Sequence, residues 1–489
     1  MTPFIAGIFC AFGIAALLYL DRERTVRVSN ALWLPGLWIG IVGSRPLSSW
    51  FGAGQVSYAE TESSPFDAAV FGVLIIIAIG VVVRRASRTR TLLLANWPIL
   101  MYFIFGLISL AWAYHPDIAL KHWIKAIGDV AMVLVVATDA HPVAAIRRLV
   151  SRLGMLLFPT SVLFIKYFDA IGRGYTDAGL RMNTGVTTNK NSLGLIVLVI
   201  SLVVLWNVRS LLVHRDEPNR GRRLLAQCTL LAFGVLLFWM ADCSTGKACF
   251  VLGSLLIIVL NFRQIRRQPA LVHALCLGIL VAAAAAFFLG GQADVAEALG
   301  RKSDMSGRTD IWKAVISAVP NSLVGAGFES FWDSPSVQVF QKTLLDAGWY
   351  PPLVKVLNEA HNGYIEVYLN LGWTGICLIA FILVGGYLRA YRAYQRHHEL
   401  GGLVFSFVAV GIVYSLTEAG FRFMCPSWIF LLLAVFSATA VTAGFVGRDE
   451  SKSRQHMRKR VLMSDRPSRV LSPTVESSPS TLQVIHVHN

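Results

Sequence analysis

Apolar runs long enough to cross a lipid bilayer recur along almost the whole 489-residue chain. A membrane-spanning helix needs about 20 consecutive apolar residues, and all of its backbone polar groups must be bonded within the protein. Only 15% of the residues are charged, whereas soluble domains carry about 25%. The pattern therefore predicts an all-α, polytopic transmembrane bundle of about 12–13 spans.

Charged residues between the apolar runs predict the orientation of the bundle. The runs lie near residues 3–20, 31–43, 67–83, 91–113, 118–138, 146–168, 191–208, 223–241, 247–262, 270–290, 362–388, 401–419 and 426–446. Arginines cluster at alternate ends of these runs, which is typical of a cytoplasmic face. The net charge of +16 thus reflects topology and does not indicate a nucleic-acid partner. We predict one transmembrane domain over residues 1–447 and a basic, disordered cytoplasmic tail over 448–489.

The opposite, extracytoplasmic face receives the polar loops. They cover residues 44–67, 169–190, 242–246 and 291–360. The longest loop, 291–360, is expected to contain a helix from Arg308 to Ala318. Asn358 is expected to cap a helix that begins near Glu359, which would place His361 in the first helical turn.

The long loop and the helix start that follows it carry the strongest candidates for chemistry. His361 can transfer a proton near neutral pH, and Glu359 and Asn362 adjoin it; the alternative is an interfacial histidine bonded to a loop carbonyl. Arg308 can grip a phosphate with its planar fork, or simply pair with a nearby aspartate. Trp312 can stack on a sugar ring or anchor in the headgroup region.

Two shorter loops add cations and amides. Lys247 can face an anionic headgroup, or extend its charge to the membrane surface without a ligand. Asn189 and Asn191 can bind hydroxyl groups, while Lys190 and Arg181 can bind phosphate. The alternative for this segment is a helix cap with interfacial charges.

Other polar positions predict packing rather than chemistry. Lys121, Lys125 and Asp129 share one helix face, and an internal Lys125–Asp129 ion pair is favoured over a cavity lining. The outer loops contain no metal-ligand spacing, and the chain has no Walker A loop and no Gly-x-Ser-x-Gly turn. We therefore predict no catalytic metal and no cofactor.

Three motifs, in order, resemble the O-antigen ligase and polymerase superfamily. They are Gly307–Trp312 (Gly-Arg-Thr-x-x-Trp), Gly325–Phe328 (Gly-x-Gly-Phe) and His361–Gly375, which begins His-Asn-x-x-x-Glu. Two further segments, Gly185–Gly194 and Lys125–Met132, are similar to the exopolysaccharide-production polymerase branch of that superfamily.

This resemblance implies a multi-pass enzyme of the bacterial inner membrane with its site on the outer face. Its donor would be an oligosaccharide on polyprenyl pyrophosphate, and a hydroxyl of a saccharide acceptor would attack it. His361 would be the base or a positioning group, and Arg308 would hold pyrophosphate. Lys247 replaces an arginine common in the family, and Arg181 is a second candidate phosphate ligand.

The resemblance also implies partners and leaves alternatives. A chain-length regulator, a flippase and membrane lipids are the expected partners, with no metal, no nucleotide sugar and no nucleic acid. A ligase that transfers glycan to lipid A-core or to protein shares the same motifs. A transporter or flippase of lipid-linked saccharide is less favoured, because the chain has no internal repeat.

Overall fold

Helices dominate the computed structural model, which describes residues 2–23, 26–51, 64–175, 179, 181–289 and 305–446. The α-helices are α1 Pro3–Leu20, α2 Trp33–Val42, α3 Leu47–Trp50, α4 Pro65–Arg84, α5 Ala86–Ala95, α6 Trp97–Ile108, α7 Pro116–Ala137, α8 Pro142–Tyr167, α9 Asp169–Gly172, α10 Lys190–Val213, α11 Arg220–Ala241, α12 Ser244–Val259, α13 Arg263–Arg266, α14 Pro269–Leu289, α15 Met305–Ser317, α16 Ser336–Asp346, α17 Pro351–Val356, α18 Gly363–Arg396, α19 His398–Tyr414 and α20 Pro426–Thr442. Short 3₁₀ helices cover Asn30–Leu32, Ser109–Trp112 and Phe331–Asp333.

Strand structure in the described residues is one small hairpin. Strand β1, Arg173–Tyr175, pairs antiparallel with β2, Arg181–Asn183, and Gly174 lies opposite Met182. The all-α, polytopic fold class predicted from the apolar pattern is confirmed.

Every predicted apolar run coincides with a helix or with the bent pair α5–α6. Six helices, α1, α4, α8, α10, α11 and α18, are long and apolar enough to cross a membrane, and the pair bent by 85° would make a seventh. Helices α12, α19 and α20 are shorter, with 16 or 17 residues. Among the described residues, full-length spans are thus fewer than the predicted 12–13, because several apolar helices are short and the 22-residue α7 carries four charged side chains.

Helices α10 and α20 form the centre of the bundle, and most of their side chains are buried. Helix α10 packs against α8, α11 and α12, and α20 packs against α7, α18 and α19. A helix that is apolar all round is stable only when protein or lipid surrounds it. The two central helices therefore provide a fixed frame for the loops at their ends.

The second half of the long loop folds on its own small core. Buried Phe331, Phe340 and Leu344 pack with Ile311 of α15 and with Leu369 of α18. The predicted helix Arg308–Ala318 is confirmed as α15. Residues 290–304 of the loop, and the predicted disordered tail 448–489, lie outside the described residues.

The start of α18 differs from the prediction. His361 has φ 49°, in the left-handed region, and the helix begins only at Gly363. The Asn362 side chain caps it by accepting hydrogen bonds from the backbone N–H groups of Tyr364 and Ile365 at 3.0 and 3.1 Å. The expected Asn358 cap and the helical position of His361 are therefore wrong.

Two glycines lock the long loop against α18. Gly372, inside the helix, has φ 61° and ψ −160°, a conformation open essentially to glycine alone. The break frees backbone groups, so that Trp373 and Thr374 donate hydrogen bonds to the carbonyls of Ser322 and Leu323. Gly325 has φ 67°, and a Cβ there would lie 2.4 Å from the Asn370 backbone. The Gly-x-Gly-Phe motif is thus a docking element for the broken helix.

Asp129 in α7 is completely buried, but it does not form the expected pair with Lys125. Its carboxylate accepts hydrogen bonds from Trp38 Nε1 at 2.8 Å and from the Met424 backbone N–H at 2.7 Å. A buried carboxylate is satisfied better by N–H donors that the fold already holds in place than by a flexible lysine side chain. Asp129 thereby connects α2 and α7 to the turn before α20.

Candidate active site

Arg308 and His361 are brought together by Glu418, in the turn between α19 and α20. The Arg308 Nη2 lies 3.8 Å from one carboxylate oxygen of Glu418, and the His361 Nδ1 lies 3.6 Å from the other. Arg308 Nη1 also donates a 2.8 Å hydrogen bond to the Thr417 carbonyl. Residues from two distant loops therefore converge at one point.

A second carboxylate, Glu359, is the closest partner of His361. Its Oε1 lies 2.7 Å from the His361 Nδ1. The geometry of this contact is not that of a hydrogen bond, so the contact is best described as an ion pair. Side-chain exposure is 28% for His361 and 31% for Glu359, but only 9% for Glu418. Glu418 therefore lies beneath the two groups that face outward.

The two carboxylates make His361 a cation in this arrangement. Burial by itself would lower the pKa of His361, but contact with Glu359 and Glu418 outweighs burial and raises the pKa to about 10. For Glu359, burial acts to raise the pKa, yet the contact with His361 prevails and the pKa lies below its ordinary value. Near neutral pH the imidazole is protonated and Glu359 is ionised.

The backbone beside His361 is held by a buried acid of α18. Glu366 accepts a 2.5 Å hydrogen bond from the Ala360 N–H and a 2.9 Å hydrogen bond from Trp332 Nε1. Trp312 Nε1 donates to the Ala360 carbonyl at 2.8 Å. Both polar groups of Ala360 are thus bonded, which fixes the residue that precedes His361.

The turn that carries Glu418 is fastened to the same helix start. The Gly363 N–H donates to the Ser415 carbonyl at 2.8 Å, and Asn362 Nδ2 donates to the Leu416 carbonyl at 3.0 Å. Farther along the turn, Arg422 Nε lies 3.5 Å from Glu329. The position of Glu418 relative to His361 is therefore set by backbone contacts.

The cluster has the spacing of a cation site but a different charge state. Among the described residues, Glu359, His361 and Glu418 offer ligand atoms within 4.8 Å of one another. A metal ligand must be deprotonated, so a cation here would have to displace the proton of His361, and Arg308 adds positive charge beside the cluster.

Known proteins resemble this chain in the segment that carries the cluster. A family model described as O-Antigen ligase matches residues 228–380, which include Arg308, Glu359 and His361. An exopolysaccharide production protein, ExoQ, from Rhizobium meliloti (strain 1021) is 24% identical over 331 residues, which are 64% of this chain and 72% of ExoQ. The chain is thus similar to proteins of the O-antigen ligase and polymerase superfamily, which supports a role in polysaccharide biosynthesis.

The sequence motifs and the geometry agree on the centre of the site. Arg308, His361 and Glu359 meet there, and Trp312 holds the backbone next to His361 through its hydrogen bond to Ala360. Asn191 reaches the cluster only at its edge, with Nδ2 3.5 Å from Glu418. Asn362 uses its side chain as a cap and a loop anchor, so a substrate contact for it is not favoured.

Other predicted ligands lie outside the cluster. Arg181 pairs with Asp169 at 2.6 Å beside the hairpin, and Asn189 caps α10 by accepting from the Ser192 N–H at 2.7 Å. Lys247 pairs with Asp242 at 3.1 Å and is 41% exposed. Lys247 and Lys190 both lie within electrostatic range of the Cys243 thiol, as does Glu418. These two lysines therefore remain near the site without contacting it.

The sequence did not indicate the roles of the two acids that organise the site. Glu418 stands at the end of an apolar run as a charge that could line a cavity or form an ion pair, and its role depends on contacts more than 50 positions away. Glu366 stands in the His-Asn-x-x-x-Glu motif, five residues after His361. Its position on the first turn of α18 was the one signal that it could contact the preceding loop.

Proposed function

We propose that this protein is a glycosyltransferase of the bacterial inner membrane that acts on oligosaccharide linked to polyprenyl pyrophosphate. The reaction would take place at the extracytoplasmic face, where the arginine pattern predicts the long loop to lie. The observation that carries the proposal is the convergence of Arg308 and cationic His361 on Glu418, at the start of a membrane helix. Two fixed cations at that depth suit the pyrophosphate of a lipid-bound donor.

The proposed step transfers a sugar from the donor to an acceptor hydroxyl. The hydroxyl oxygen bonds to the anomeric carbon, and the bond from that carbon to the pyrophosphate oxygen breaks. The electron pair leaves with the lipid pyrophosphate, whose charge Arg308 and His361 stabilise. The hydroxyl proton passes to a carboxylate and then to solvent.

Glu359 is the best candidate for that carboxylate. It is ionised near neutral pH and is more exposed than Glu418. His361 already holds a proton, so it suits stabilisation of the leaving group better than proton abstraction. Carboxylates serve as general bases in sugar chemistry, where the transition state makes the attacking hydroxyl acidic.

Reconstitution of purified protein in vesicles with polyprenyl-pyrophosphate oligosaccharide tests the proposal. Arg308→Gln and His361→Ala are expected to lower the transfer rate by at least about 100-fold. Arg181→Gln removes the same charge from a local pair with Asp169, and it should change the rate less than about two-fold. Wild-type transfer rates in either of the first two variants, with normal folding, would exclude this site. Chelation with EDTA should leave the rate unchanged.

The product of the same assay separates polymerase from ligase. We favour a polymerase that joins repeat units, because the ExoQ relative is described as an exopolysaccharide production protein. A ligase acting on lipid A-core or protein is the alternative, and the matched O-Antigen ligase model supports it. A ladder of longer lipid-linked products indicates polymerisation, whereas label that appears only on an added non-lipid acceptor indicates ligation.

A further inference from the structure

A cluster of arginines at the far end of α18 surrounds a cavity that the proposed reaction does not use. The cavity has a volume of about 490 Å³ and is lined by Arg389, Arg392, Gln395, Arg396, Thr439, Thr442 and Ala95. Helix α18 has 34 residues, so this end is roughly 50 Å along the helix path from His361. The cavity is therefore a separate site.

The arginines of this cavity are held by backbone carbonyls. Arg389 donates to the Ala95 carbonyl at the end of α5, and Arg396 donates to the Thr442 carbonyl at the end of α20. These contacts hold the guanidinium groups in place without neutralising them. No carboxylate in the described residues forms an ion pair with Arg389, Arg392 or Arg396, so the cavity attracts an anion.

An apolar stripe leads along α18 to the arginines. Phe381, Val384 and Leu388 are exposed and follow one another at helical spacing, and Arg392 is the next exposed position on that face. Trp97 flanks the stripe, with its ring centroid 6.3 Å from that of Phe381. A molecule with an acyl chain on the stripe would place its head at the arginines.

The depth of the cavity also fits a phospholipid head. Exposed Trp373 lies near the opposite end of the apolar part of α18, where an aromatic side chain is typical of a membrane interface. From Trp373 to Arg392 the helix rises about 28 Å, close to the hydrocarbon thickness of about 30 Å. Arg392 therefore lies at the level of the headgroups on the other face.

We propose that this cavity binds the phosphate headgroup of an anionic phospholipid whose acyl chain lies along Phe381, Val384 and Leu388. Basic pockets between membrane helices bind anionic lipid heads in this way. The threonine hydroxyls of Thr439 and Thr442 add polar groups beside the phosphate. The site is independent of the sugar-transfer chemistry proposed above.

Native mass spectrometry of the purified full chain in equal amounts of phosphatidylglycerol and phosphatidylcholine tests the proposal. The wild-type protein should retain phosphatidylglycerol preferentially. Loss of Arg392 and Arg396 in an R392Q/R396Q variant should weaken phosphatidylglycerol binding by about 25-fold, at about five-fold per arginine. The R263Q/R267Q variant removes two exposed arginines that do not line the cavity, and it should keep the wild-type preference.

Thermal unfolding distinguishes the lipid from a free phosphate. Phosphatidylglycerol should raise the unfolding midpoint of the wild-type protein but not that of R392Q/R396Q, each compared with its own midpoint in phosphatidylcholine, because R396Q also removes the hydrogen bond to Thr442. An equal rise with sodium pyrophosphate in the absence of phosphatidylglycerol would overturn the lipid assignment. Retention of the phosphatidylglycerol preference in R392Q/R396Q would overturn the site itself.

Discussion

The Nδ1 atom of His361 lies 2.7 Å from the Oε1 atom of Glu359, two residues before it in the chain. This short approach is possible because His361 adopts a left-handed conformation, which turns its ring back toward Glu359. Glu418 supports the same nitrogen from the other side at 3.6 Å. An imidazole between two carboxylates retains its proton, and this charge state governs how the site responds to pH.

The first prediction concerns the pH dependence of transfer. Because the pKa of His361 is about 10 and that of Glu359 is below its ordinary value, kcat/KM should be nearly constant from pH 6 to about 9 and should fall as His361 loses its proton near pH 10. Glu359→Gln removes the closest anion, so any residual activity should decline at a pH about 1–2 units lower. A rate that instead rises about ten-fold per pH unit up to pH 10 would identify neutral His361 as the base.

The same pair predicts how stability changes with pH. The pKa of His361 is higher in the folded protein than its ordinary value of 6.5. Its contribution to the free energy of unfolding is therefore complete below pH 6.5 and disappears as the pH rises through about 10. Thermal unfolding should lose this part of its pH dependence in His361→Gln, while Arg181→Gln should keep it.

Glu418 is expected to act by positioning Arg308 and His361. Glu418→Gln keeps the shape but removes the charge that both cations contact, so we expect kcat to fall by about 100-fold. Loss of this anion should also move the alkaline limb of the pH profile to lower pH, an effect that a purely structural residue would not have. Asp242→Asn, which breaks only the exposed pair with Lys247, is the matched control and should change kcat less than about two-fold.

Asp129 is expected to control the turn that carries Glu418. Its carboxylate accepts from the Met424 N–H, and Met424 has φ 52°, so the turn is strained locally and held by this contact. Asp129→Asn should destabilise the protein by about 2 kcal/mol. An amide has only one uncharged oxygen, so it cannot accept hydrogen bonds from both Trp38 and Met424 as the two carboxylate oxygens do. Thermal unfolding measures this loss, and Asp129→Ala should be more damaging than Asp129→Asn. Equal stability of all three proteins would contradict the role.

Gly372 provides a test of the docking between the long loop and α18. Gly372→Ala should cost about 2 kcal/mol or more, because its backbone conformation is nearly restricted to glycine and a Cβ would lie 2.3 Å from the Leu323 backbone. Gly80→Ala, in α4 with no atom within 4 Å of the added Cβ, should be neutral or slightly stabilising. Unfolding midpoints of the two variants give the comparison, and similar values would argue against the docking role.

Much of the architecture was predictable because its signals are local. Apolar runs predicted the helices, and the composition between Gly307 and Pro320 predicted the helix that begins near Arg308. The start of α18 was predicted wrongly because Asn358, and not Asn362, was expected to cap the helix. The choice between them depends on Glu366 and on the Ser415–Leu416 backbone, which are brought to this position only by folding.

The sequence by itself determined that this protein is a helical membrane bundle with Arg308 and His361 in one polar loop, because hydrophobicity and motif order are properties of neighbouring residues. Only the tertiary structure decided that Glu418 joins the two cations, that Arg181 pairs elsewhere and that Asp129 holds a distant turn instead of Lys125. These outcomes depend on which side chains meet across the bundle. A charged residue has many potential partners in the sequence, and the packing of the folded chain brings only a few of them into contact with it.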